Sequence, residues 1–109
     1  MTHLLSRLFF ILFFLLIIPE IFAKNIVRNI TNMDGLSNNS VNCFLEDSHN
    51  MLWIGTWDGL NSFNGRDFVS YRYTLEDEFS ISNNIIRNII EPDTASIWIA
   101  TDHGLNRWD

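Results

Sequence analysis

From Val41 onward the chain breaks into short apolar blocks set between polar turns. Val41 to Asp47 alternates through Val41, Cys43 and Leu45, with Phe44 on the other face. Met51 to Thr56 is apolar almost throughout and centres on Trp53, Leu60 to Asn64 is brief, and Phe68 to Tyr73 alternates aromatic with polar positions. Blocks of this length and period predict β-strands. The separators suit hairpins. Asp58-Gly59 and Asn64-Gly65 predict tight primed turns with positive φ, and Ser48-His49-Asn50 is a weaker, polar turn signal in which Asn50 is able to adopt a left-handed conformation.

The same block order then starts again. Leu36 to Asn64 reappears without a gap 45 positions on: Ser37-Asn38-Asn39 as Ser82-Asn83-Asn84, Leu52-Trp53-Ile54-Gly55-Thr56 as Ile97-Trp98-Ile99-Ala100-Thr101, and Gly59-Leu60-Asn61 as Gly104-Leu105-Asn106. Phe63 is answered by Trp108, and Cys43 by Asn88. A Trp-bearing period in this range, with four short antiparallel strands per unit, predicts an all-β propeller made of four-stranded blades. The central strands Leu52-Trp53-Ile54 and Ile97-Trp98-Ile99 are apolar on both faces, as a blade sandwiched between neighbours requires. The small residues Gly55 and Ala100 predict a close approach there by a Trp or Phe of the adjacent blade. A β-sandwich also has many short strands, but it would not require Trp53 and Trp98 to recur with the same flanks.

The organisation that follows is a signal peptide over 1–23, an N-terminal strand within 24–36, a first blade over 37–81 and a partial second blade over 82–109. The signal peptide is read from Arg7, the apolar run Leu8 to Ile18, and the small residue Ala23 before Lys24. The run is short for a membrane span, which needs about 20 apolar residues. Ile26 to Ile30 stands ahead of Asp34-Gly35-Leu36 as Phe68 to Tyr73 stands ahead of Ser80-Ile81. This predicts a strand that completes the last blade of a ring.

Composition narrows the chemistry. The net charge is -6, Lys24 is the one lysine, and the arginines are scattered, which argues against nucleic acid as a partner. Cys43 is the single cysteine and, alternating with Val41 and Leu45, is read as core filler; a disulfide framework would carry an even set. His49 and His103 fall in predicted turns with no ligand-spaced companion, so the sequence points to no metal and no cofactor. Glu76-Asp77-Glu78 reads as a solvated loop, since hard-cation loops need several oxygen ligands at defined spacing. Nothing defensible as a catalytic set is present, neither a Ser-His-Asp trio nor a phosphate loop.

The line Leu52-Trp53-Ile54-Gly55-Thr56 followed by Asp58-Gly59-Leu60-Asn61-Ser62-Phe63 resembles the two-component regulator propeller repeat. Ile97 to Trp108 is similar, with Ala100 for Gly and His103 for the turn Asp, and Asp34 to Val41 resembles the opening of such proteins. The resemblance implies paired seven-bladed propellers in the periplasm, followed in the parent by an immunoglobulin-like domain, a membrane helix and a histidine kinase. It further implies a sensor of oligosaccharides, with the remaining blades of a longer parent as partners. The uncovered faces of one complete and one partial blade independently predict self-association.

Within that frame Trp57, Asp58, Asp102 and His103, in turns between second and third strands, are the candidate ligand-binding residues. An exposed Trp stacks on a sugar ring and a carboxylate accepts from its hydroxyls; the plainer reading is that they are turn residues. Trp53, Trp98, Gly55, Ala100, Gly59 and Gly104 are expected to be the structural core of the repeat. Two other readings stand beside the sensor: a fragment of a secreted propeller lyase or glycosidase, and a truncated stub without function.

Overall fold

The computed structural model describes residues 3–8, 11 and 25–109; the signal-peptide expectation, with its cleavage at Ala23, falls mainly on residues outside these. No helix among the described residues is long and apolar enough to cross a membrane. Two antiparallel sheets carry the fold, each resembling a propeller blade. The first has four strands in the order β1-β2-β3-β4, namely Val41–Glu46, Leu52–Thr56, Gly59–Phe63 and Phe68–Tyr71. The second has three in the order β5-β6-β7, namely Ile86–Asp93, Ser96–Thr101 and Gly104–Trp108.

Cross-strand partners show which residues share a face. In the first sheet Cys43 pairs with Gly55, Leu45 with Trp53, Gly55 with Leu60 and Leu60 with Tyr71, so these residues form one face. The opposite face carries Phe44, Ile54, Leu52 and Phe63. In the second sheet Ile89 pairs with Ile99 and Ile97 with Trp108. That face, the repeat equivalent of the Phe44 face, packs on the Trp53 face of the first sheet. Trp53, Leu60, Ile81, Ile86, Ile89, Ile97 and Ile99 form the shared core, with Cys43, Leu45, Met51 and Tyr71 against it. Trp53 meets Trp108 edge-on at 5.3 Å between centroids and Tyr71 at 6.1 Å.

Gly55 is the point of closest approach. A Cβ there would lie 2.8 Å from the Ile86 Cβ, nearer still to its Cγ2, and 2.5 Å from Cys43 Sγ. The small residue is required as expected, but the side chain it admits is an isoleucine of the next sheet rather than a Trp or Phe. Isoleucine fits because β5 crosses the seam here with its backbone close. Asn42 Nδ2 donates to the Ile86 carbonyl at 2.9 Å across the same seam.

Several local expectations are corrected. The β2–β3 connection is Trp57-Asp58, with positive φ only at the following Gly59 (+125°), and the β6–β7 connection is Asp102-His103 before Gly104 (+106°). Primed turns need positive φ at the central residues, so these are ordinary turns followed by a left-handed glycine. Asn64-Gly65 lies in a four-residue connection, where Asn64 Oδ1 accepts from the Arg66 and Asp67 N–H groups at 2.9 and 2.7 Å. Asn50 does adopt a left-handed φ of 62°. Residues 25–30 join neither sheet, and Ile26 and Val27 stand almost wholly exposed; the strand expected here would pair with a last blade, which is not among the described residues. A β-segment gains its hydrogen bonds only from a neighbour, and none faces this one among the described residues. A short 3-10 turn, Asn32–Asp34, follows, capped by Thr31 and closed by Gly35.

The two tryptophans of the repeat differ in cover. Trp53 is 4% exposed, whereas Trp98 is only half-buried, with Arg107 5.8 Å above its ring. Trp53 is covered by the second sheet; Trp98 lies on a face with no sheet against it among the described residues. Trp53→Ala should therefore cost about 3–5 kcal/mol in denaturant unfolding, as for a buried aromatic, and Trp98→Ala clearly less. Equal losses would contradict this packing.

Candidate functional site

Antiparallel order places the β2–β3 and β6–β7 turns and the β4–β5 connection at one end of the two sheets. All four sequence-predicted binding residues lie at this end. Two arginines organise them, and neither was singled out by sequence. Arg87 occupies a β-bulge: Ile86 pairs with Thr101 and Asn88 with Ala100, leaving Arg87 as the extra residue. A bulge re-aims its side chain. Here the guanidinium reaches both carboxylate oxygens of Asp102, with Nη2 donating to Oδ2 at 3.0 Å, and its Cζ lies 4.9 Å from the Trp57 ring centroid. The hydrogen bond from Arg87 holds the Asp102 carboxyl below the usual carboxylate range, and the same pair raises Arg87. Trp57 of the first sheet is thus linked through Arg87 to Asp102 of the second, with Trp57 48% exposed.

Asp58 is held separately. Arg72 Nη2 lies 3.5 Å from its carboxylate, Arg72 Nε donates to the Asp58 carbonyl at 3.1 Å, and Arg72 Nη2 donates to the Ser37 carbonyl at 3.1 Å. His103 is exposed in the turn beside Asp102, its N–H donating to Thr101 Oγ1 at 3.1 Å. The end therefore offers an aromatic face, two guanidinium groups and two carboxylates. An aromatic body with planar polar groups around it suits a polyhydroxylated ring.

Beneath this end lies a polar cluster that explains why the turns are held. Asn61 is fully buried; its Oδ1 accepts from the Ser37 N–H at 3.0 Å and from Ser70 Oγ at 2.9 Å, and its Nδ2 donates to Ser37 Oγ at 2.8 Å and to the Ile54 carbonyl at 3.2 Å. Thr56, also fully buried, lies 3.0 Å from Ser37 Oγ, donates to the Gly59 carbonyl at 2.8 Å and accepts from the Asp58 N–H at 3.0 Å. The second sheet repeats the arrangement through Ser82, Thr101 and Asn106. Among the described residues no buried side-chain polar atom lacks a partner. The signal was present in the sequence, since Ser37, Thr56 and Asn61 each recur at the repeat distance.

At the opposite end Asp47 closes the β1–β2 hairpin. Burial raises its carboxyl, but donors from the Trp53 indole (2.9 Å), the Met51 N–H (3.0 Å) and the His49 N–H (2.8 Å) prevail and hold it below the usual range. Cys43 is half-buried beside Gly55, and burial pushes its thiol up. Glu76-Asp77-Glu78 is exposed in a turn tied by the Ser80 hydroxyl to the Thr74 and Asp77 carbonyls.

Residues 35–58 match the two component regulator propeller family model. That span holds β1, β2 and the turn carrying Trp57 and Asp58. The chain is of the two-component regulator propeller type. Histidine kinase P4 of Formosa agariphila is 46% identical over 57 residues, which is 52% of this chain and 4% of that protein. The crystal structure of the extracellular domain of a B. thetaiotaomicron protein assigned as a hybrid two component system matches with a TM-score of 0.67 and 34% identity, over 74% of this chain and 12% of the solved chain. This regulator propeller chain thus spans a small part of each relative. The solved relative is an extracellular domain, and the other is named a histidine kinase.

If the Asn61 cluster secures the turns of the regulator propeller chain, Asn61→Ala should lower unfolding free energy by about 1–3 kcal/mol, because several buried partners lose their bonds. Asn106→Ala, at a half-buried position, should cost less. Unchanged denaturant midpoints for Asn61→Ala would exclude a structural role for the cluster.

Proposed function

We propose that this chain is the leading part of a periplasmic propeller sensor of a two-component signalling protein. It is exported behind a cleaved segment ending at Ala23, and it contributes to recognition of an oligosaccharide. The observation that carries the reading is the convergence of Trp57, Arg87 and Asp102 from two sheets on one end. A single turn could place a Trp and an Asp by chance, but a bulge that delivers an arginine between them builds a shared surface. Sugars are held by stacking on an aromatic face and by hydrogen bonds to planar charged groups, and this end supplies both. The relatives support the setting, one being named a histidine kinase and another an extracellular domain of a two component system.

In the same reading the open sheet faces are places for further blades of a longer parent, or for another copy of the chain. The Phe44 face of the first sheet, with Phe44 75% exposed, is equivalent to the second-sheet face already buried in the seam. On the other side Leu105 and Ile90 are exposed beside Trp98.

The test is a binding screen of the chain and of Trp57→Ala against neutral and acidic oligosaccharides. The expected result is saturable binding of at least one glycan that Trp57→Ala loses while its melting temperature stays unchanged. Full retention of that binding by Trp57→Ala would place recognition elsewhere and overturn the assignment of this end.

A further inference from the structure

A cluster unused by the proposed sensing end lies at the other end of the sheets. Asp47 and His49 belong to the β1–β2 hairpin tip, and Glu91 to β5 of the second sheet. One ligand-type atom from each, a carboxylate oxygen or an imidazole nitrogen, lies within 4.8 Å of the others. Separate features of the sequence bring them together. Asp47 closes its hairpin as described. In the second sheet Asp93 performs that closure, accepting from the Ala95 and Ser96 N–H groups at 2.8 and 3.1 Å. Its hairpin is shorter, and the register slips between Ile90 and Asp93, where Glu91 and the N–H-lacking Pro92 lie. Such an irregularity turns side chains out of the ladder. The Glu91 carboxylate reaches back across the seam to the Ser48 N–H at 3.1 Å from both oxygens, and to Ser48 Oγ at 3.1 Å.

We propose that Asp47, His49 and Glu91 hold one divalent transition-metal ion of the zinc class, which ties the first sheet to the second. Two carboxylates meet here without an arginine or lysine. The ion pairs among the described residues are Arg72–Asp58, Arg87–Asp102 and Arg107–Asp109; none includes Asp47 or Glu91, and Asp109, which lines the same cavity, is taken up by Arg107. Facing carboxylates repel unless a cation stands between them. The third member is an imidazole, which cannot neutralise them while uncharged but is a good ligand for zinc-class ions and a poor one for calcium or magnesium. His, Asp and Glu are each zinc-ligand types, and three protein ligands leave one position for water.

The carboxylates are already oriented by N–H donors, as supporting groups orient metal ligands. Asp47 Oδ2 and Glu91 Oε1 each accept a single hydrogen bond and keep a lone pair for ligation, so binding through them leaves those hydrogen bonds in place. The triad is more open than a bound site, in which ligands lie about 2.0–2.2 Å from the ion; rotation of the exposed His49 ring closes it. The sequence reading missed this site because the ligands come from two repeats and have no local spacing.

The experiment is calorimetric titration and thermal melting of the purified chain with zinc chloride, and with calcium chloride in parallel. Wild type should bind one zinc ion per chain saturably, and its melting temperature should rise with free zinc, as for any ion that binds only the folded state. His49→Ala and Glu91→Gln should melt like wild type without metal but lose both the titration and the zinc-dependent shift. His103→Ala should keep them. Both substitutions spare Asp47, whose loss would disturb the hairpin itself. Absence of saturable zinc binding in wild type, unchanged zinc binding in His49→Ala, or equal responses to calcium and zinc would each overturn the proposal. None of these outcomes bears on the Trp57 end, so the two readings fail separately.

Discussion

The contact on which the structure depends is the entry of Ile86 into the space left by Gly55. It brings the second sheet's inner strand β5 against β1 and β2 of the first sheet, and the remaining core contacts follow from it. With the sheets at that distance, Ile97, Ile99 and Ile81 reach Trp53 and Leu60, Trp108 meets Trp53 and Tyr71, and Asn42 reaches the Ile86 carbonyl. A β-carbon on Gly55 would separate the sheets by more than a well-packed interior absorbs. Gly55 does not have the left-handed φ that favours glycine, so the constraint is one of space and not of backbone conformation.

The seam also positions the chemistry. Arg87 follows Ile86 directly, and the bulge that turns Arg87 toward Asp102 and Trp57 starts at the residue that fills the Gly55 space. At the far end of β5 a second irregularity carries Glu91 back to the first sheet's hairpin. Both clusters that join the sheets therefore arise where strict alternation in β5 fails. The buried Ser37–Thr56–Asn61 cluster fixes the turn holding Trp57 and Asp58, so the exposed side chains rest on a satisfied polar core rather than on a free loop.

Much of this was legible in sequence. The strands followed from short apolar blocks, alternating at the outer strands and continuous at the central one, and the repeat of Leu36 to Asn64 indicated two equivalent sheets. Asn50 is able to take the left-handed region because its amide side chain tolerates it, and it does so. What could not be read was what crosses between repeats. That Gly55 admits an isoleucine, that Arg87 bridges Trp57 and Asp102, and that Glu91 meets Asp47 and His49 depend on how one sheet lies on the next, which no local period encodes. The turns were misjudged because Asp58-Gly59 looks like a hairpin dipeptide, whereas Thr56, bonding the Asp58 N–H and the Gly59 carbonyl, places the turn one residue earlier.

The most direct test of the account is a double-mutant cycle on the seam, read by denaturant unfolding with Gly55→Ala, Ile86→Ala and the pair. Gly55→Ala alone should cost about 1–3 kcal/mol through overpacking. Ile86→Ala alone should cost about 2–5 kcal/mol through the lost core side chain. If the two positions share one space, the pair should lose less than the sum, with a coupling of about 0.5–3 kcal/mol. Additivity to within about 0.3–0.5 kcal/mol, as for distant sites, would show that Ile86 does not fill the space beside Gly55 and would contradict the packing from which both clusters follow.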